Sequence, residues 1–278
     1  MITLEPKKPT ISILGCGWYG LELAKKLVLD GYQVKGSTTS EEKLSILKEA
    51  GIQPFIVNFE LENIVFERHF FESELLIISI PPKRSSPSLL DYPAKIKAIA
   101  TAARNSIVKQ IIFISSTGVY ADGNAVVNEN LVPTPESDSG KMMYRAEELL
   151  KEERFTTTII RFAGLIGPNR NLAKHFAGKT AIGNGLAPIN LIHLVDCVQL
   201  TQTIIELKAF GKIYHGVTPD HPSRADFYTK NCVVNGFEKP QFIQELTSWK
   251  QIESVNVPKF LNYRYQIKNW DDWLQKIS

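Results

Sequence analysis

Cysteine is scarce in this chain of 278 residues: three, at positions 16, 197 and 232, an odd number and widely spaced. No Cys-x-x-Cys pair occurs, which removes the usual zinc ribbon and the disulfide framework of small secreted domains. The five histidines show no metal-binding spacing such as His-x-x-x-His, so no metal centre is expected. No apolar run approaches the roughly 20 residues that a membrane span needs, and the N-terminus lacks the apolar core of a signal peptide. The formal charge is only +3, with no lysine/arginine block, too little to imply a nucleic-acid partner. Internal repeats and low-complexity tracts are also missing. What remains is a chain expected in a reducing cytoplasm, with neither membrane nor nucleic acid as partner. With 44% apolar and 22% charged residues, it is long enough for one large domain or a domain plus a smaller lobe.

What the chain does have is a glycine triplet, Gly15, Gly17 and Gly20, placed where the apolar run Thr10–Leu14 gives way to a helical pattern. A strand rich in β-branched residues that enters Gly-x-Gly-x-x-Gly and then a helix is what a dinucleotide site needs. The first glycine allows a sharp turn, the second lets main chain approach a diphosphate, and the third lets helix and strand pack closely. Amides of the loop, including those of Trp18 and Tyr19, and the helix dipole then face the phosphate charge. Cys16, inside the loop, reads as a small packing residue rather than a nucleophile.

Strand-like runs then alternate with helical patterns. Ile11–Leu14 is followed by a helix over 18–30, with Leu21, Ala24, Leu27 and Val28 at helical spacing and Gly31 as its C-cap. Strands are predicted at 32–36, 53–59, 75–80, 110–115 and 156–161, and helices at 41–50, 89–105 and 141–153. Leu75–Ile80, apolar apart from Ser79, reads as buried on both faces. Alternation of this kind means parallel pairing through crossovers, a doubly wound α/β sheet whose ligand crevice lies at the carboxyl ends of the strands. Beyond 165 the pattern loosens: a helix at 195–207, a strand at 212–217, a helix at 223–235, and an aromatic tail that reads as core and lid packing. The expected organisation is a dinucleotide-binding domain over 1–165 with a returning segment near 190–217. An interleaved smaller C-terminal lobe over 166–278 covers the crevice.

Four motifs in order carry a resemblance: Gly15-Cys16-Gly17-Trp18-Tyr19-Gly20; Ser115-Ser116-Thr117-Gly118-Val119-Tyr120; Arg161-Phe162-Ala163-Gly164-Leu165-Ile166-Gly167-Pro168; and Asn190-Leu191-Ile192-His193-Leu194-Val195-Asp196. The chain resembles the extended short-chain dehydrogenase/reductase superfamily, the NAD-dependent epimerase/dehydratase group with a Rossmann fold, over about residues 10–230, and is most similar to its atypical members. The resemblance implies a nicotinamide dinucleotide, NADP or NAD, and a small-molecule substrate, with cofactor contacts at Ile80, Pro81, Pro82, Ser115, Phe162 and Gly164. Similar proteins often dimerise through helices near 89–105 and 141–153, which leaves a homodimer open.

The family's acid/base pair, Tyr-x-x-x-Lys, puts an ammonium on the same helix face as the phenol and lowers its pKa. Here none of the nine tyrosines has a lysine four residues on, and Tyr144 is followed at that spacing by Glu148. Two remnants stand as catalytic candidates. Ser116 falls where the family places its catalytic Ser/Thr; the other reading is a strand-end hydroxyl that satisfies local backbone. Lys141, three residues before Tyr144, can share its face in reverse order; a solvated lysine beside a half-buried aromatic is the stronger alternative. An epimerase-like or oxidoreductase enzyme with a non-standard acid/base set, acting on a small polar, sugar-nucleotide-like substrate, therefore competes with a catalytically silent nucleotide-binding regulator or redox sensor.

The end of the second strand bears on the nucleotide. NAD sites usually carry an acid there, whereas this chain has Thr38-Thr39-Ser40, with Lys43 one helical turn in. Hydroxyls and a lysine at a helix start make a phosphate cradle and favour NADP mildly; Ser40 as an ordinary helix cap is compatible with that reading. Asn190, His193 and Asp196 read as mostly structural.

Overall fold

The computed structural model describes residues 8–82 and 89–277. In chain order it runs β1 (Thr10–Leu14), α1 (Trp18–Leu29), β2 (Gln33–Thr38), α2 (Leu44–Glu49), β3 (Gln53–Ile56), β4 (Asn58–Glu60), β5 (Asn63–Val65) and β6 (Leu75–Ile78). It continues with α3 (Tyr92–Arg104), β7 (Gln110–Ser116), β8 (Ala125–Val127), α4 (Asp138–Lys151), β9 (Thr156–Phe162), β10 (Gly164–Ile166), β11 (Leu191–His193), α5 (Leu194–Glu206), β12 (Ile213–Gly216), α6 (Arg224–Val234), β13 (Lys250–Ile252) and α7 (Trp270–Ile277).

Seven of these strands form one sheet in the order β12-β9-β7-β6-β1-β2-β3. The pairs β1/β2, β1/β6, β2/β3 and β6/β7 are parallel. The expected doubly wound Rossmann sheet is therefore present. Its order reverses at β1, so the carboxyl ends of β1 and β6 flank the switch point at which such sheets take ligands.

Two compact units divide the chain. One comprises Met1–Ser115, Ser137–Ile160 and Ile204–Ile213. Its core is built on the inner strands β1 and β6, with Ile11, Ile13, Leu76, Ile77 and Ile78 fully buried, and on the inward stripes Leu23, Ala24, Leu27 of α1 and Ile96, Ile99, Ala103 of α3. Each leucine and isoleucine among them stabilises the fold by about 1.5–3 kcal/mol. The other comprises Ser116–Glu136, Arg161–Thr203 and Tyr214–Ser278. Its core gathers Ile166, Ile189, Leu191, Phe227, Tyr228, Trp270 and Leu274. Trp270, fully buried, donates from its indole to Asp220 O at 3.1 Å, and its main-chain N–H reaches Asp220 Oδ2 at 2.7 Å. The aromatic tail packs into a core, and α7 within it has no counterpart in the sequence reading.

Several boundaries differ from expectation: β2 runs on to Thr38, the helix expected at 41–50 opens with a 3-10 turn at 41–43, and α4 starts at Asp138, behind its cap Ser137, rather than at Lys141. The run 53–59 is not one strand: β3 pairs with β2, Val57 N–H makes a last bond to Thr38 O at 3.0 Å, and β4 then turns to pair antiparallel with β5. The helix expected from Leu89 begins at Tyr92, with Pro93 in its first turn, where a proline sacrifices no helical hydrogen bond.

Candidate functional site

Gly15 follows β1 with φ +100°, a conformation that a side chain adopts only with strain. A Cβ there would sit 2.8 Å from Ile80 Cγ2, and a Cβ on Gly20 would sit 2.2 Å from Gly15 O. The protein's own atoms therefore require both glycines. They do not require Gly17. A Cβ at Gly17 would meet no atom within 4 Å, the residue is exposed, and its φ of −84° suits any residue. Gly17 is the cap residue of α1, which has no side-chain cap, and the first helical bond runs from Leu21 N–H to Gly17 O at 3.0 Å. The positive end of α1 is thus presented through a residue with no side chain. Tyr19 is buried and Trp18 half-buried. Burial pushes the Cys16 thiol up to about 12, so Cys16 is an inert packing residue.

Two serines that the sequence reading passed over fix this loop. In the Leu14–Gly15 peptide, the oxygen accepts from Ser79 N–H at 2.9 Å and the N–H donates to Ser37 Oγ at 2.9 Å. In the next peptide, Gly15 O accepts from Ser79 Oγ at 2.7 Å and Cys16 N–H donates to Ser37 O at 2.9 Å. Both peptide planes are held at both ends.

At the end of β2, Thr38 Oγ1 accepts from Ser40 N–H at 3.1 Å. Ser40 precedes a short 3-10 turn but its side chain makes no cap bond, so its hydroxyl is not consumed by the helix. Thr39 and Lys43 are exposed. Glu41 and Glu42, also exposed, flank them. After β6, Ile80 O accepts from Tyr92 OH at 2.8 Å; Pro81 is exposed and Pro82 buried. The Ser115 hydroxyl points inward, donating to Glu147 Oε1 at 2.5 Å with both residues buried. A cofactor contact at Ser115 is left to its main chain.

A family model described as NAD(P)H-binding matches residues 15–185, beginning at the first loop glycine. The chain belongs to the NAD(P)H-binding family. Within curated proteins it is similar to Protein YeeZ of Escherichia coli (strain K12), 32% identical over 262 residues that cover 92% of this chain and 95% of that one. Among solved structures, UDP-N-acetylglucosamine 4-epimerase from Bacillus cereus superposes with a TM-score of 0.77 at 15% identity, over 97% of this chain and 98% of the other. UDP-glucuronic acid 4-epimerase from Bacillus cereus in complex with NAD gives 0.76 at 18%, over 96% and 99%. These likenesses show that the chain has the Rossmann fold of those epimerase structures.

In this NAD(P)H-binding family member the acid/base candidates lie as follows. Tyr144 is half-buried on α4. Lys141 is exposed, its ammonium 3.6 Å from Asp138 Oδ1, while Glu148 pairs with Lys151 at 2.6 Å. Ser116, in the other unit, accepts from Gly118 N–H at 3.1 Å and starts the 3-10 turn Thr117–Val119. That is the local-backbone role, and it uses only the oxygen; the hydroxyl proton remains to be given.

The remaining sequence candidates of the second unit are placed as follows. Phe162 is buried, and a Cβ on Gly216 would lie 2.4 Å from its ring. Gly164 is pressed against β11, where a Cβ would be 2.7 Å from Leu191 Cδ2. Asn190 accepts from Ile252 N–H (2.7 Å) and donates to Lys250 O (2.8 Å). His193 Nδ1 accepts from Val195 N–H, and burial lowers its pKa against the opposing pull of Asp196. Asp196, fully buried, accepts from Tyr263 OH and from the amides of Gln266 and Ile267. All three serve the fold.

The same unit buries a polar network absent from the sequence reading. Arg161 Nη1 donates to Tyr120 OH (2.5 Å), and Tyr120 OH lies 3.0 Å from His215 Nε2. His215 Nδ1 lies 2.8 Å from Glu253 O, and its main-chain N–H donates to Glu129 Oε1 (2.9 Å). Burial pushes His215 down to about 4, with Arg161 adding to that and Glu129 and the Glu253 carbonyl opposing it. The neutral ring thus accepts at Nε2 from the phenol and donates from Nδ1. With the tyrosine hydroxyl held by both neighbours, Tyr120 fixes the turn that begins at Ser116 rather than offering a proton to a ligand.

Proposed function

We propose that this protein binds a nicotinamide dinucleotide with its diphosphate at the glycine loop 15–20, on the amides of residues 17–20 because those of Gly15 and Cys16 are taken by Ser37, prefers NADP, and acts on a small polar, sugar-nucleotide-like substrate. The observation that carries the binding reading is Gly17: an exposed glycine with open space at its Cβ, at the uncapped start of a 12-residue helix, has no reason in the protein's own packing. Close approach of an anion supplies one. The bound cofactor supplies hydride donor or acceptor chemistry.

Support for NADP comes from the end of β2, where Thr38, Thr39 and Ser40 bring hydroxyls and no carboxylate, with Lys43 in the following turn. Glu41 and Glu42 temper this preference. In the reaction, Ser116 donates its hydroxyl proton to a substrate oxygen. Tyr144 and Lys141 are the acid–base candidates; the exposed Lys141–Asp138 contact costs little to break. The sugar-nucleotide class is suggested by what the structurally similar epimerases are named for. Three free, buried cysteines fit a reducing cytoplasm, and among the described residues no helix is long and apolar enough to cross a membrane.

A second reading, a catalytically silent regulator or redox sensor, is favoured by one arrangement: Lys141 faces Asp138, and Glu148 occupies the position four residues after Tyr144. Incubation with stereospecifically deuterated NADPH and a panel of sugar nucleotides and carbonyl compounds separates the two. Loss of label that Ser116→Ala abolishes supports the enzyme. Binding without turnover across the panel supports the regulator.

A further inference from the structure

We propose that Ser37 and Ser79 are positioning residues of the diphosphate site, acting through the two peptide groups that flank Gly15. The inference rests on the dinucleotide reading of the loop and adds to it the residues that hold the loop in its binding form. Glycine leaves its peptide planes free to rotate, so the sequence that permits the bend also permits its loss. A rotated Gly15–Cys16 peptide would turn its carbonyl away from Gly20 and shift the start of α1, whose first amides, at residues 17–20, are what the anion meets.

The structure closes that route from two strands. Ser79, just past β6, gives its N–H to Leu14 O and its hydroxyl to Gly15 O. Ser37, in β2, takes Gly15 N–H on its hydroxyl and Cys16 N–H on its carbonyl. Each serine therefore spends one side-chain and one main-chain group on the same two peptides. Gly15 O is directed at the Cα of Gly20, where a Cβ would stand 2.2 Å away, and Ser79 Oγ holds it there. Ser37 is 2% exposed, so without its hydroxyl Gly15 N–H would be left unpaired in a largely buried setting. Because β2 and β6 lie on either side of β1, the clamp exists only once all three strands are paired.

The test uses Ser79→Thr and Ser79→Val, which have the same size and differ in the hydroxyl, with binding of NADPH, NADH and adenosine measured by titration calorimetry. The valine variant is expected to bind NADPH and NADH about tenfold more weakly than the threonine variant and adenosine, which has no diphosphate, equally well. Ser37→Ala is expected to show the same pattern against wild type. Equal dinucleotide affinities in the two Ser79 variants would overturn the proposal, as would a uniform loss that includes adenosine. Failure of the valine variant to fold where the threonine variant folds would assign the hydroxyl to stability and overturn it too. Wild type that binds neither NADPH nor NADH would instead overturn the dinucleotide reading on which the clamp depends.

Discussion

Ser37 and Ser79 hold the same two peptide groups, one on each side of Gly15, although they stand 42 positions apart in sequence. The glycine loop is therefore fixed by the protein's own bonds, and under the proposed binding its amides need no ordering when a ligand arrives. This has consequences for each glycine, for the nucleotide, and for the buried groups nearby.

Gly20→Ala is expected to destabilise the protein by about 3 kcal/mol, although alanine is the better helix former. The added carbon would stand 2.2 Å from Gly15 O and 2.9 Å from Ser79 Oγ, so it strikes the clamp itself. Urea unfolding at constant m-value measures the loss; an unchanged midpoint contradicts the close packing of α1 on the loop.

The proposed preference for NADP rests on the stretch 38–43. Lys43→Ala is expected to weaken NADPH binding several-fold while NADH affinity stays the same, since only the former carries a 2′-phosphate. Fluorescence titration with both nucleotides decides it, and tighter binding of NADH by wild type would reverse the assignment.

Cys16 sits inside the loop, yet burial raises its thiol to about 12. Native protein is expected to resist iodoacetamide at pH 8 at this position until denatured, as followed by mass spectrometry of the peptide. Fast native alkylation would show a thiolate that the burial argument forbids.

His215 makes stability depend on pH with a definite sign. Burial lowers it from 6.5 to about 4 in the folded protein, so between those values the unfolded chain binds a proton that the folded one does not. Its contribution is complete above about pH 6.5 and is lost as the pH falls towards about 4. Denaturation midpoints of wild type should fall over that window, and those of His215→Gln should fall less. Parallel slopes would mean that the ring is not held neutral by the Tyr120–His215–Glu253 chain.

Strands and helices of the main sheet were legible because their signals are local: β-branched runs, helical spacing in α1, glycines at 31 and 51 with φ +82° and +73° ending their helices. The glycine triplet was legible for the same reason. The clamp was not, because its meaning depends on β2 and β6 being neighbours of β1, a pairing that spacing alone does not state. Its trace was visible all the same: Ser79 interrupts the apolar run 75–80, and Ser37 lies in a buried stretch of β2. The Arg161–Tyr120–His215 network joins residues far apart in the chain and left no such trace. Val57 shows the opposite failure, an apolar residue that looked like strand interior and is the point where β3 ends and the hairpin begins.

The central claim is that the open side of Gly17 receives the diphosphate. Titration calorimetry of wild type and Gly17→Ala with NADPH, alongside their urea unfolding curves, tests it most directly. The account predicts stabilities within about 1 kcal/mol of each other and an affinity at least about tenfold lower for the variant. Equal affinities at equal stability would contradict it.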